Sequence, residues 1–340
     1  MLLARSMRAT GFSAGRLSSA LGVCVVVLVL AFVASAAFGE QPLDLAAVRT
    51  PGSAEELIFF SLRLPRVVLA GLVGMALAAA GAMLQSLLRN PLADPFVLGV
   101  SGGAALGATV ALAFGFSALA FVPGLSAVSG FALVGALGAT ALVLLVGRLA
   151  GHGSPNTTLL AGVIFNAFAL AAITFIKALV APDKLGEILF WLAGSLGHES
   201  WSTLGSTAVV VLAAVGALVA LSPRLNLLSL GEEDAQSLGV DVRWTRGVLL
   251  VTASIAVAAV VSLSGLVGFV GLLVPQVARL VFGADQRLTV PASALLGAAF
   301  LMLADLAARL LFRVFHTEPP VGVITALLGG PLFLAMMARK

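Results

Sequence analysis

Apolar residues run through this chain in long blocks, separated by short polar or glycine-rich breaks, from position 17 to the C-terminus. A helix rises about 1.5 Å per residue and the hydrocarbon layer is about 30 Å thick, so about 20 mostly apolar residues make one span. Ten such blocks are readable: 17–38, 63–88, 94–115, 118–147, 157–181, 199–222, 243–263, 267–282, 289–314 and 322–339. They predict an all-α, polytopic membrane protein of about ten transmembrane helices, with residues 1–340 forming a single transmembrane domain. The stretch DKLGEILFWLAGSL (183–196) predicts a separate short helix near the outer surface. The eighth block is short and bracketed by glycines, which predicts a broken or tilted helix.

The first block follows Arg5, Arg8 and Arg16, an arrangement that resembles a secretion signal. The run 17–38 exceeds the apolar core of about 7–15 residues in a cleaved signal, so it reads as a retained first span with its N-terminus inside. Ten spans then put both termini in the cytoplasm. On that topology the inside segments hold Arg5, Arg8, Arg16, Arg89, Arg148, Arg224, Arg243, Arg246, Arg279, Arg287, Arg339 and Lys340. The outside holds Arg49, Arg63, Arg66, Lys177, Lys184, Arg309 and Arg313. The excess inside agrees with the positive-inside rule.

Composition bears on partners. Hydrophobic residues are 60% of the chain and charged residues 10%, with a mean hydropathy of +1.14. A soluble domain carries about 25% charged residues, so the solvent of this chain is lipid. The net charge of +4 reads as topology-setting Lys and Arg rather than a nucleic-acid surface. The single cysteine, Cys24, excludes an internal disulfide.

Few polar residues lie at membrane depth: Gln85, Asn166, Asp305 and Arg309 are the main ones. Burying a charge in lipid costs several kcal/mol, so these groups face a bundle interior or a wet path. Asp305 and Arg309 stand four apart on one helix and can pair; Asn166 reads as a bond between helices. Glycines crowd two neighbouring spans (Gly71, Gly74, Gly81, Gly99, Gly102, Gly103 and Gly107), which predicts close helix packing. In GVSGGAALG (99–107) they also allow a helix to slide or break. Catalytic patterns are absent: His152, His198 and His316 lie in separate loops, and no HExxH, CxxC or GxxxxGK[ST] occurs. One compact charged island stands out, SLGEEDAQSLGVDVR (229–243), between the sixth and seventh spans. Its acids Glu232, Glu233 and Asp234 suit a helix N-terminus, and no converging ligands for a metal accompany them.

Several blocks resemble the permease subunits of the ABC transporter family that takes up iron chelates and cobalamin. They are RLPRVVLAGLVGMALAAAGAMLQSLLRNPLADPFVLGVSGGAALGA (63–108), LGEEDAQSLGV (230–240), GLVGFVGLLVPQVARL (265–280) and ADLAARLLFRVFHTEPPVGVITALLGGPLFLAMM (304–337). They occur in order and reach from the second span to the C-terminus. Two positions depart from the family pattern: Gln276 stands where His is usual, and Glu318-Pro319-Pro320 replaces Glu-Leu-Pro.

The resemblance implies two copies of the chain around a central path, two cytoplasmic ATPase subunits beneath, and an extracytoplasmic substrate-binding protein above. It implies no catalytic residue, metal or cofactor on this chain; ATP and Mg²⁺ belong to the ATPase. The island 229–242 becomes the coupling segment: Ala235, Ser237, Leu238 and Gly239 enter a cleft of the ATPase, and Glu232 and Asp234 rim it. Arg63, Arg66 and Arg309 meet acidic residues on the lobes of the binding protein, since a guanidinium forms a fork with a carboxylate. Gln85, Gly99, Ser101, Gly102, Gly103 and Asn166 are the candidates for the translocation path. The expected setting is the bacterial inner membrane, and the expected cargo is a ferric siderophore, with haem or cobalamin next. An ion-coupled secondary transporter is the alternative; it needs a titratable group at mid-membrane, and Asp305, the one good carboxylate candidate, lies nearer the outer half. A membrane enzyme lacks its cluster of acids or histidines.

Overall fold

The computed structural model describes residues 14–40, 47–116, 120–122, 125–151 and 155–338. Arg5, Arg8, His152, Arg339 and Lys340 lie outside the described residues, as does the side chain of Arg16. The regular structure of the described residues is helical apart from one short strand pair. Helix α1 (Ala14–Ala37) is followed by α2 (Ala54–Leu57), a π-helical turn (Ile58–Arg63) and α3 (Leu64–Leu87), which form one unbroken rod. After α4 (Val100–Ala113), the strands β1 (Ala120–Val122) and β2 (Leu125–Ser126) pair antiparallel, with Ala120 opposite Ser126. Then come α5 (Ala127–Gly151), α6 (Pro155–Leu179), the short α7 (Pro182–Leu192), α8 (Trp201–Leu230) and the six-residue α9 (Glu232–Ser237). The chain closes with α10 (Val242–Ser264), α11 (Val270–Phe282), α12 (Gln286–Phe315) and α13 (Val321–Met337).

Seven described helices are long and apolar enough to cross a membrane. Three shorter apolar ones, Val100–Ala113, Val270–Phe282 and Val321–Met336, occupy the remaining places among the ten expected blocks. Boundaries move for local reasons. The second span starts as helix at Ala54, where the Ser53 side chain accepts from the Glu56 amide. The third starts at Val100 rather than 94. Asp94 caps a 3₁₀ turn over Pro95–Leu98, and Gly99 turns left-handed (φ 82°) before α4 begins. Helix α8 overruns its apolar block to Leu230, carrying Pro223 within it. Hydropathy marks the apolar part of a helix and not its end.

Alternation of the helices gives the bundle two ends. One carries α9 and the links α3–α4 and α11–α12; the other carries α7, the strand pair and the links α10–α11 and α12–α13.

Helix α3 is the centre: 89% of its spanning window is buried, against 17% for α6. Apolar side chains gain little by meeting each other instead of lipid tails, so close helix contact has to come from backbone approach. A Cβ on Gly74 would stand 2.1 Å from the Gly297 carbonyl oxygen of α12. One on Gly81 would stand 2.0 Å from the Gly271 oxygen of α11. The same device joins α4 to α5, where Gly103 and Gly135 face each other, each 2.2 Å from a Cβ that neither has. By contrast α6 turns Leu160, Val163, Ile164, Phe168 and Phe175 outward.

Gly74→Val is expected to lower the thermal stability of the detergent-solubilised chain by about 2–3 kcal/mol, the cost of overpacking against backbone. Gly216→Ala, where nothing lies within 4 Å of the new methyl group, is expected to be neutral or stabilising by up to about 1 kcal/mol. Equal melting temperatures for the two variants would refute the close-contact account.

Candidate functional site

At one end of the bundle, α9 stands as a short helix on a rigid foot. It closes at Gly239 (φ 84°) in a Schellman turn: the Gly239 amide donates to Gln236 O (2.9 Å) and the Val240 amide to Ala235 O (3.0 Å). Asp241 then caps α10 by accepting from the Trp244 amide (2.9 Å). Glu232 pairs with Arg246 of α10. The foot is bound to its neighbours. Arg89, just past α3, donates to Leu228 O (2.8 Å). Asn226 donates to Asp285 (2.7 Å) and accepts from the Gln286 amide (2.8 Å), tying α8 to the start of α12. Arg224 lies 5.1 Å over the ring of Trp244.

Glu232, Asp234, Ser237, Leu238 and Gly239 are all exposed, and Leu238 shows 59% of its surface in an otherwise polar turn. Ala235 differs from its expected place. It is fully buried against its own chain, so it seats α9 on the bundle and is not free to enter a partner's cleft. Gly239 supplies the left-handed turn; its smallness meets open space.

At the opposite end the three predicted arginines do converge, but they face inward. Asp305 is fully buried and accepts from both neighbours: Arg66 Nε and Nη2 reach its Oδ1 (2.9 and 2.8 Å), and Arg309 Nε reaches its Oδ2 (2.9 Å). Arg66 also pairs with Glu318, before α13. The expected Asp305–Arg309 pair is therefore present and is half of a four-residue chain of charges. The remaining donors cap α1. A helix ends on carbonyls without amide partners, and α1 has no basic residue in its last turn. Arg63 donates to Ala36 O (3.3 Å) and Ala37 O (3.0 Å), Arg309 to Ser35 O (3.0 Å) and Phe38 O (3.2 Å), and Arg313 to Gly39 O (2.7 Å). Arg63 and Arg309 are 7% and 5% exposed, which corrects the expectation that their guanidinium groups stand free for a docking protein. What remains outside is a cleft of about 260 Å³ rimmed by Glu40, Ile58, Leu62 and His198, with the arginines at its base. The sequence signalled Asp305–Arg309 by spacing. Ser35, Arg313 and Glu318 carried no comparable signal, because their partners are distant in the chain.

The residues expected to line a path make joints between helices in this chain. Pro275 has no amide, so the Gly271 carbonyl loses its helical donor. Gln85 Nε2 replaces it (3.0 Å) and also reaches Leu272 O (3.2 Å). Gln276 Nε2 bonds Gln85 Oε1 (3.3 Å) and Pro91 O (2.9 Å), so the residue that departs from the family pattern belongs to this joint. Asn166 of α6 bridges helices as expected: its Oδ1 accepts from the Gly102 amide (3.2 Å) and its Nδ2 donates to Phe96 O (3.0 Å). Ser101 Oγ bonds Phe96 O (3.3 Å). Gly103 packs on α5, and Gly99 is the left-handed turn between the 3₁₀ turn and α4. Asp94, unnoticed in the sequence despite its Asp-Pro signal, accepts from the Phe96 amide (2.8 Å), and burial pushes its carboxyl up to about 6. Among the described residues, no three His, Cys, Asp or Glu side chains converge on a metal position.

The comparisons with known proteins agree with this architecture. The profile of the FecCD transport family matches residues 24–339. The hemin transport system permease protein HmuU of Yersinia pestis is 39% identical, over 94% of this chain and 95% of that protein. The cobalamin import permease BtuC of Halobacterium salinarum is 41% identical, over 84% of this chain and 74% of that protein. The Fe(3+) dicitrate permease FecC of Escherichia coli is 36% identical, over 93% and 94%. Among solved structures, a metal-chelate type ABC transporter in an inward-facing conformation superposes with a TM-score of 0.84 at 32% identity, covering 95% of this chain and 99% of that one. The chain belongs to the FecCD transport family: it is a multi-pass membrane permease of the ABC importer class, a transport subunit.

Two measurements test the charge network and the α3–α4 link. Asp305→Asn leaves two buried guanidinium groups without their shared counter-ion and is expected to cost about 3–5 kcal/mol of stability in detergent. An unchanged melting temperature would contradict the network. For Asp94, the folded carboxyl titrates near 6 and the unfolded one near 3.8, so the folded state holds the extra proton between them. Its contribution is most favourable below pH 4 and is lost as pH rises to about 6. Relative to wild type, Asp94→Asn is therefore expected to gain about 1–3 kcal/mol between pH 4 and pH 6.5. A difference independent of pH would contradict that titration.

Proposed function

We propose that this chain is the membrane-spanning subunit of an ATP-driven importer that moves a metal chelate into the cytoplasm by alternating access. Two copies pair around the path, two ATPase subunits bind at the α9 end, and a substrate-binding protein docks at the α7 end. ATP and Mg²⁺ stay on the ATPase, and both termini of this chain face the cytoplasm of a bacterial inner membrane. The observation that carries the reading is α9: an exposed acidic turn with an exposed leucine, paired to α10 through Glu232–Arg246 and carried on the end of α8, which Arg89 and Asn226 tie to the neighbouring elements. A segment so fixed moves only with the bundle, which is what a coupling element requires. A partner that shifts it must bind two states of the bundle with different affinity. Rim charges such as Glu232 and Asp234 set register and encounter more than affinity, while Leu238 supplies apolar contact.

Docking at the α7 end falls to the rim of the arginine cleft, with the buried arginines lending it positive potential. The outward apolar face of α6 is available to lipid or to the second copy. The relatives named for hemin, cobalamin and ferric dicitrate favour a metal chelate as cargo; a ferric siderophore is our first choice, haem and cobalamin the next. An ion-coupled mechanism is disfavoured, because both carboxylate oxygens of Asp305 are engaged by Arg66 and Arg309.

The test is reconstitution in liposomes with the cognate ATPase and binding protein, offering ferric siderophore, haem and cobalamin in turn. ATP hydrolysis stimulated together with uptake of one cargo is the expected result. Glu232→Ala combined with Asp234→Ala is expected to lower cargo-stimulated hydrolysis about fivefold or more, with folding retained. Uptake that continues without any ATPase would sink the reading.

A further inference from the structure

The α9 end carries a basic feature that coupling does not use. A cleft of about 370 Å³ opens between α5, the start of α6 and α10, with Leu144 and Arg148 on one wall, Thr158 beside them, and Arg243, Arg246, Gly247 and Leu250 on the other. Its charged lining residues are all arginines. Among the described residues, Arg148 and Arg243 form no ion pair, and Arg246 pairs with Glu232 at the edge. Gly247 keeps the space open: a Cβ there would lie 4.0 Å from Arg148 Nη2, so the guanidinium of α5 reaches across to the backbone of α10.

Like charges around one small volume repel unless an anion lies among them. Guanidinium groups match the planar, paired acceptors of a phosphate better than an ammonium does. The surroundings indicate where that phosphate comes from. Leu144 and Leu250 line the cleft, and the same face of α5 continues away from it through exposed Ala141 and Leu137, an apolar track suited to an acyl chain. Trp244, half exposed and under Arg224, marks the depth at which aromatic rings meet headgroups. Basic pockets between spanning helices on the cytoplasmic side suit anionic headgroups.

We propose that the cleft binds a phosphate group between Arg148, Arg243 and Arg246, supplied by an anionic phospholipid of the adjacent leaflet. Because Arg246 also holds Glu232, an occupied cleft bears on the seat of α9. The site depends on neither the identity of the cargo nor that of the ATPase.

The test uses the full chain, purified in non-ionic detergent, with native mass spectrometry and thermal unfolding as readouts. Dioleoyl-phosphatidylglycerol and dioleoyl-phosphatidylcholine are titrated in separate arms, and inorganic phosphate in a third. Phosphatidylglycerol is expected to be retained about tenfold more tightly than phosphatidylcholine, and to raise the melting temperature. Arg148→Gln with Arg243→Gln is expected to abolish that preference. Gly247→Leu should do the same by filling the cleft without changing charge, while Lys184→Gln at the far end leaves it intact. A melting shift produced equally by inorganic phosphate would overturn the lipid source. Equal retention of the two lipids, or a preference that survives both cleft variants, would overturn the site itself.

Discussion

Everything in this bundle depends on backbone contact between helices in a solvent that gives side chains no reason to associate. Glycine is the device. Gly74 against Gly297 and Gly81 against Gly271 bring α12 and α11 to van der Waals distance from α3. Once α3 is enclosed in this way, its one interior amide side chain, Gln85, lies beside the carbonyl that Pro275 leaves open. A proline that would break α11 in isolation is accommodated because a neighbouring helix supplies the missing donor. The same closeness lets polar side chains such as Gln85 and Gln276 find their partners on neighbouring helices.

The arginine cluster follows the same logic at the other end. Helix α1 ends without a capping residue of its own, and arginines from α3 and α12 supply the donors. Asp305 and Glu318 offset part of their charge, and the cluster stays positive. The cluster is thus a structural joint among α1, α3, α12 and the approach to α13. A docking protein would meet its rim and its field, not its hydrogen-bonding groups.

The sequence made the ten apolar helices legible because a spanning segment in lipid must be both apolar and helical, and the period of the fold is written in hydropathy alone. The α9 segment was legible for the opposite reason, as a polar island between two such runs. The Asp305–Arg309 pair could be read because helical spacing puts residues four apart on one face. What could not be read was direction. Arg63, Arg66 and Arg309 were placed at the correct end, but whether a guanidinium turns to water or to a neighbouring carbonyl is decided by residues far away in the chain, such as Ser35 and Glu318. Ala235 was likewise chosen for its size, which suits burial against its own chain as well as insertion into another. The path residues carry a similar double meaning, since small and polar residues at membrane depth serve helix joints as readily as a conduit.

In the proposed importer the bundle is a rigid frame and α9 is its ATPase-facing handle. Site-directed cross-linking tests it most directly. Leu238→Cys places an exposed thiol on the handle, and the only other thiol, Cys24, is buried. With a short bifunctional reagent and the assembled complex, position 238 is predicted to capture the ATPase subunit, while Glu187→Cys on α7 captures none. Capture from position 187 and not from 238, in a complex that still copurifies, would contradict the account.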